Sequence, residues 1–425
     1  MENLSKEELI TKVKALEVHV TQLRNIIAKK DKSNLPLAKE RAKKKDRKFD
    51  FNKYKKRHVL LQVCYFGWDY NGFAVAEEAG RTIESELFAA LLQTKLVESR
   101  AECNYHRCGR TDRGVSGTGQ VVSLDLRTAL QEGEAVWQQE SYTGPRQQEE
   151  AVRQELDYCT LLNRNLPPDI RVVAWAPAPT TQFSARFECQ SRGYRYCFPR
   201  GRVDTARLAA AGQRLLGSHD FRNLCKMDVN NGVVKFIRTI DSVSVETVQR
   251  DNSQAESSYD LCCIIIRSKA FLWHQIRCIV AVLLMVGEGL EDAEVITELL
   301  DVERNPCRPA YQMAADLPLN LDCAEYIGLD WRVEPHSSEF TLRSLQRLWS
   351  EQAVRAAMIR GKLRQLELAS PGLQADAQLD SIAGRERKKV YTNLMQLPRC
   401  PSLEDKIKTV VKRRKLVDAD EMCVE

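Results

Sequence analysis

The chain has 425 residues, 43% of them hydrophobic, and 64 Lys+Arg against 58 Asp+Glu give a formal net charge of +6. That size predicts two to three domains with a sizeable core, and no apolar run is long enough to cross a membrane as a helix. The start, Met1-Glu2-Asn3-Leu4-Ser5-Lys6, mixes acid and base without an apolar signal region, so an intracellular protein is expected.

In residues 1–29, Val13, Val20 and Ile27 repeat every seven residues, and so do Leu9, Leu16 and Leu23. This predicts a short coiled-coil helix that pairs two subunits or packs on the body. Residues 29–57 then carry fourteen Lys/Arg against four Asp/Glu, which leaves the rest of the chain slightly acidic. We expect 30–57 to be a basic arm, disordered without a partner and suited to a polyanion such as RNA. A solvated linker and a nuclear-import signal are competing readings.

The body is expected to begin near His58, with Val59, Leu61, Val63 and Tyr65 alternating as a strand. A helix follows over Thr82–Val97, then a glycine-flanked loop at Cys108–Ser116 and a strand at Gln120–Leu126. Residues 127–150 lose periodicity, become rich in Gln and Glu, and read as a flexible insertion. A helix ends at Leu166 before Pro167-Pro168. Strand Arg171–Pro177 and a strand or hairpin over Arg186–Phe198 complete a first half, 58–200. In the second half, 201–340, Asp204 caps a helix that carries Leu208, Leu215 and Leu216 and stops at Gly217. Strand-like runs at Val234–Val248 and Tyr259–Ser268 precede an apolar helix over Leu272–Gly287. Residues 341–425 read as a charged helical extension with a basic cluster at Lys412–Lys415. Strands and helices without strict βαβ alternation predict an α+β class with largely antiparallel sheet.

Three segments offer chemistry. Arg110-Thr111-Asp112 places one carboxylate beside an arginine in a tight loop that runs into a strand. This arrangement suits nucleophilic or electrostatic work on a sugar carbon. The competing reading is an Asp–Arg pair that pins a surface turn. Ser184-Ala185-Arg186-Phe187 with Tyr194-Arg195-Tyr196 supplies cations and aromatics. Phe271-Leu272-Trp273-His274-Gln275-Ile276-Arg277 does the same, with Arg277 on an apolar helix where a buried guanidinium needs an anion. Aromatics with arginines are what a flipped RNA base and its backbone require. Strand packing would equally explain Tyr194 and Tyr196, and a structural role would explain His274. Among the fourteen cysteines, only Cys103-x-x-His106-x-Cys108 resembles metal-ligand spacing, and it lacks a second pair, so no metal site is expected.

Cys108-Gly109-Arg110-Thr111-Asp112-Arg113-Gly114-Val115-Ser116 with Gly119-Gln120-Val121-Val122 resembles the signature of TruA-type tRNA pseudouridine synthases. The resemblance continues in family order through Leu162–Pro167, Phe183–Phe187, Tyr194–Tyr196, His219–Phe221 and Phe271–Arg277, and covers roughly 58–332. Asn104–Cys108 and Phe221–Asp228 resemble the eukaryotic branch that acts at positions 38 and 39 of the tRNA anticodon stem-loop. The resemblance implies a pseudouridine synthase fold, with two α+β halves joined around a central cleft, usually in a homodimer. It implies Asp112 as the catalytic aspartate, with Arg110 pairing with it or holding the flipped nucleotide. Tyr194 would stack on the uracil, with a later role as a base also open, and Arg277 would form a salt bridge to Asp112. Arg186 and His274 count as further substrate contacts. The implied reaction isomerises uridine without a cofactor, on tRNA, in the nucleus and cytoplasm. Ala76 stands where relatives usually carry glutamine, which puts that RNA contact in doubt.

Rival readings are a TruA-type enzyme acting on other tRNA positions or messenger RNA, and a tRNA-binding chaperone with dispensable catalysis. A coiled-coil nucleic-acid-binding protein is disfavoured, because a bZIP basic region precedes its zipper in one continuous helix, whereas here the basic arm follows the heptads and contains Pro36.

Overall fold

The computed structural model describes residues 49–75, 80–144, 154–251, 255–371, 377–380, 382 and 391–422, with side chains through residue 412. The heptad helix, most of the basic arm, Ala76 and residues 145–150 of the expected insertion lie outside the described residues.

The ordered body starts earlier than expected. Phe51–Lys53 form a short 3-10 turn, and strand β1 runs Lys56–Tyr65. Arg57, expected in a disordered arm, is 3% exposed and pairs with buried Glu155 at 3.0 Å. A charge that deep is tolerated only with such a partner. Helix α1, Ile83–Gln93, opens on a reciprocal capping box between Thr82 and Ser85. Short β2, His106–Arg107, leads through the Asp112 loop into β3, Ser116–Arg127. The expected flexible insertion is partly built. Strand β4, Val136–Trp137, pairs with Lys56 and Arg57, and Thr143 N–H donates to Asn52.

Helix α2, Tyr158–Asn163, and β5, Ile170–Pro177, complete this group. The Arg186–Phe198 run is not one strand. Ser184 O accepts from the N–H groups of Phe187 and Glu188 in a turn, and β6 begins only at Ser191 and ends at Pro199. Then come α3, Thr205–Gln213, capped by Asp204, and β7, Gly217–Asp220. The Val234–Val248 run splits at Asp241 into β8, Ile237–Ile240, and β9, Ser242–Gln249. β7 and β8 form their own two-stranded sheet. Strand β10, Leu261–Ser268, precedes helix α4, Gln275–Gly287, and α5, Glu294–Leu300. Strand β11, Leu319–Glu325, is followed by the long helix α6, Pro335–Ala369, and by α7, Leu403–Met422.

Among the described residues one sheet of nine strands carries the body, with the path β4-β1-β3-β11-β6-β10-β9; β2 pairs with β3 and β5 with β1. All its pairings are antiparallel except one. β11 lies parallel to β3 through Asn320↔Ser116 and Leu321↔Gly117. This parallel step joins the two halves, and it starts four residues after Asp112. β6 lies beyond β11 on this path, on the far side of the parallel step from β3.

The first half buries Val59, Leu61 and Val63 against Ile83, Leu87 and Leu91 of α1 and Leu162 of α2. The strand is not simply one-sided. Leu60 and Val121 face a smaller cluster with Cys108, Ala185 and Cys189. In the second half, every residue of α4 is buried, among side chains of β6, β10 and α3.

Candidate active site

The Asp112 loop is held by the backbone beneath it. The Thr111 carbonyl accepts from Phe73 N–H at 3.1 Å, and Gly114 N–H donates to the Tyr70 carbonyl at 3.2 Å. The Thr111 hydroxyl meets the Tyr65 hydroxyl at 2.8 Å. Two glycines permit this approach. A Cβ on Gly67 would stand 1.9 Å from the Val115 carbonyl oxygen, and one on Gly72, whose φ is +90°, would stand 2.9 Å from that of Thr111. Asp112 is thus fixed at the edge of β3, where the halves join.

The facing wall is Phe271–Arg277, entering α4. His274 takes a left-handed conformation, φ 58°, as it caps the helix, an uncommon state for a non-glycine residue. Between the walls lies a cleft of about 700 Å³, lined among others by Asp112, Arg110, Tyr194, Phe271, His274 and Arg277. Its size falls within the range of small-molecule sites, large enough for a single nucleotide.

Burial pushes the Asp112 carboxyl above its ordinary value, while the charges of Arg277 and Lys226 and the Trp273 indole oppose the rise. His274 Nε2 lies 3.4 Å from Asp112 Oδ2. Burial, Arg277 and Lys226 hold His274 down to about 4, so at neutral pH this is contact with a neutral imidazole and not an ion pair. Trp273 lies against His274, ring centroids 4.4 Å apart, and Lys226 sits 5.7 Å from the Trp273 ring. Tyr194 meets Phe271 edge-on at 5.2 Å, and burial pushes its phenol upward. That shift keeps the phenol protonated at neutral pH.

Five of the six residues singled out in the sequence therefore meet in one cleft, and Arg186 does not. Arg186 is exposed and lies 5.4 Å from the Phe187 ring. The expected Arg277–Asp112 salt bridge is also corrected. Arg277 donates through Nε to the Ala314 carbonyl at 2.7 Å and pairs with Asp316 at 3.8 Å, so it acts on Asp112 through space. Arg110 is exposed in the cleft and has no protein partner among the described residues, which leaves it free for substrate. Sequence reasoning missed Lys226, Trp273 and Asp316 as groups that set the charge of the site. Lys226 and Trp273 lay inside quoted segments, whereas Asp316 carried no signal.

Known proteins resemble this chain along most of its length. A family profile described as tRNA pseudouridine synthase matches residues 211–326, which takes in the His274 wall but not Asp112. The chain is 40% identical over 430 residues to the tRNA pseudouridine(38/39) synthase of Homo sapiens, covering 96% of this chain and 88% of that one. It is 36% identical over 348 residues to the synthase of the same name from Saccharomyces cerevisiae, covering 80% and 74%. With a carboxylate fixed at the join of two α+β halves and such similarity along most of its length, the chain belongs to the TruA-type tRNA pseudouridine synthase family.

Proposed function

We propose that this protein isomerises uridine to pseudouridine at positions 38 and 39 of tRNA, with Asp112 as the catalytic carboxylate. The observation that carries the reading is Asp112 itself, anchored at the cleft wall opposite Tyr194, Arg277 and His274, in a chain whose relatives are named for those positions. In the reaction the N1–C1′ bond breaks, the uracil turns, C5 bonds to C1′, and the C5 proton is replaced by one on N1. Atoms and electrons balance without a redox partner, so the chemistry needs no cofactor. Asp112 either attacks C1′ or removes the 2′ proton, and both routes need it ionised. Tyr194 stacks on the uracil, and Arg110, free in the cleft, holds the flipped nucleotide by its phosphate.

A homodimer is part of the proposal. Along α6, Leu342, Leu345, Trp349, Gln352, Ala356, Ile359, Leu363 and Leu366 fall on one alternating three- and four-residue seam that is apolar except at Gln352. Trp349, Ile359 and Leu366 on it are exposed, a pattern that fits a second copy of the same helix. Sedimentation should find a dimer that Trp349→Glu dissociates, and a monomeric wild type would contradict it. The catalytic reading is tested by pseudouridine mapping on unmodified tRNA transcripts. Product confined to other positions, or only in messenger RNA, would move the substrate; tRNA binding without product would favour a chaperone.

A further inference from the structure

Arg186, left outside the cleft, belongs to a second cluster. The Arg192 guanidinium donates to three backbone carbonyls, those of Cys108 at 2.8 Å, Arg186 at 3.1 Å and Lys269. One fork thereby gathers the start of the catalytic loop, the Arg186–Phe187 turn and the end of β10 at a single point. A Cβ added to Gly109, next to Cys108, would stand 3.8 Å from Arg192 Nε, and Arg110 follows it into the cleft. What these segments present outward is two cations and a ring. Phe187 is 68% exposed, far more than a ring placed for packing. Arg186 sits 5.4 Å from it, and His106 approaches it edge-on at 6.5 Å. Arg186 and Lys269 are exposed and have no acidic partner among the described residues.

We propose that Phe187, Arg186 and Lys269 form a second nucleotide subsite beside the catalytic cleft. An unpaired RNA base next to the target uridine stacks on Phe187 while the two cations hold its phosphates. The proposal rests on the tRNA reading above. An exposed ring flanked by unpaired cations recognises the π-face and phosphate of any single-stranded nucleotide, so the subsite positions without reading sequence. Since Arg192 ties the platform to the catalytic loop, a nucleotide held there constrains where its neighbour enters the cleft.

The test is affinity and single-turnover rate on an unmodified tRNA transcript over a salt series, for wild type, Phe187→Ala, Phe187→Trp, Arg186→Ala and Lys269→Ala. Phe187→Ala should weaken binding about 10-fold with an unchanged salt slope, as loss of one stacked base would. Phe187→Trp should restore it. Arg186→Ala and Lys269→Ala should each lower the salt slope by about one. Pairing Phe187→Ala with a transcript made abasic at either neighbour of the target should add no further loss for one of the two. Full additivity at both neighbours, or wild-type affinity in Phe187→Ala, would overturn the subsite. A wild type that makes no pseudouridine would instead overturn the function on which it rests.

Discussion

At the residue scale, the central quantity is the charge of Asp112. Its folded value is raised by burial, so the ionised form is lost at a higher pH than for an ordinary aspartate. Activity should therefore fall on the acid side, as pH drops through that raised value, while His274, held down to about 4, stays neutral over the range above it. The groups acting on Asp112 are Arg277, Lys226 and the Trp273 indole, which lower it, and Asp316, which raises it. Lys226→Met removes a lowering charge, so the acid limb of the kcat/KM profile should move to higher pH; a limb that stays in place or moves down would count against this account. Gly67→Ala probes position instead of charge. The new Cβ must displace Val115 and with it the loop, and a displacement near 1 Å costs about 100-fold in rate. Asp112 was legible in the sequence because a tight loop and its strand are contiguous. Asp316 was not, because it meets the site only through the fold.

At the element scale, periodicity located most strands and helices, and it failed where the second face or a turn decided the outcome. β1 reads as alternating, yet Leu60 is as buried as Leu61, because the 183–189 and 324–331 segments cover the other face. The Val234–Val248 run reads as one strand, but Asp241 breaks it, its N–H donating to the Arg267 carbonyl while β8 turns away to pair with β7. α4 was legible as an apolar helix, and its burial along the whole length predicts its weight. Leu283→Ala, at a fully buried position, should lower unfolding free energy by about 2–5 kcal/mol in denaturant titration. A loss below about 1 kcal/mol would mean that the core of the second half is looser than described.

At the scale of the whole molecule, charge and fold divide the work. The α+β class and the two halves were legible from the mixture of elements and the family motifs, but the parallel β3–β11 step that joins the halves was not. Its strands are separated by about half the chain, and neither carries a pairing signal. The start of the body at Phe51, not His58, sets how the basic arm should be tested. Removing residues 1–48 should weaken tRNA binding and flatten its salt dependence, since fewer phosphates are neutralised. Removing 1–57 would also delete Arg57 and strand its buried partner Glu155, and should destabilise the fold by about 3–5 kcal/mol. Equal affinity and salt slope after removal of 1–48 would reject the arm as an RNA contact.

Pseudouridine mapping of unmodified tRNA transcripts with wild type and Asp112→Asn decides whether Asp112 makes this cleft an isomerase site. The substitution keeps the shape of the side chain and removes its charge. Wild type should make pseudouridine at positions 38 and 39 and Asp112→Asn none, while tRNA binding is retained. Product at wild-type rate from Asp112→Asn would contradict a catalytic role for Asp112.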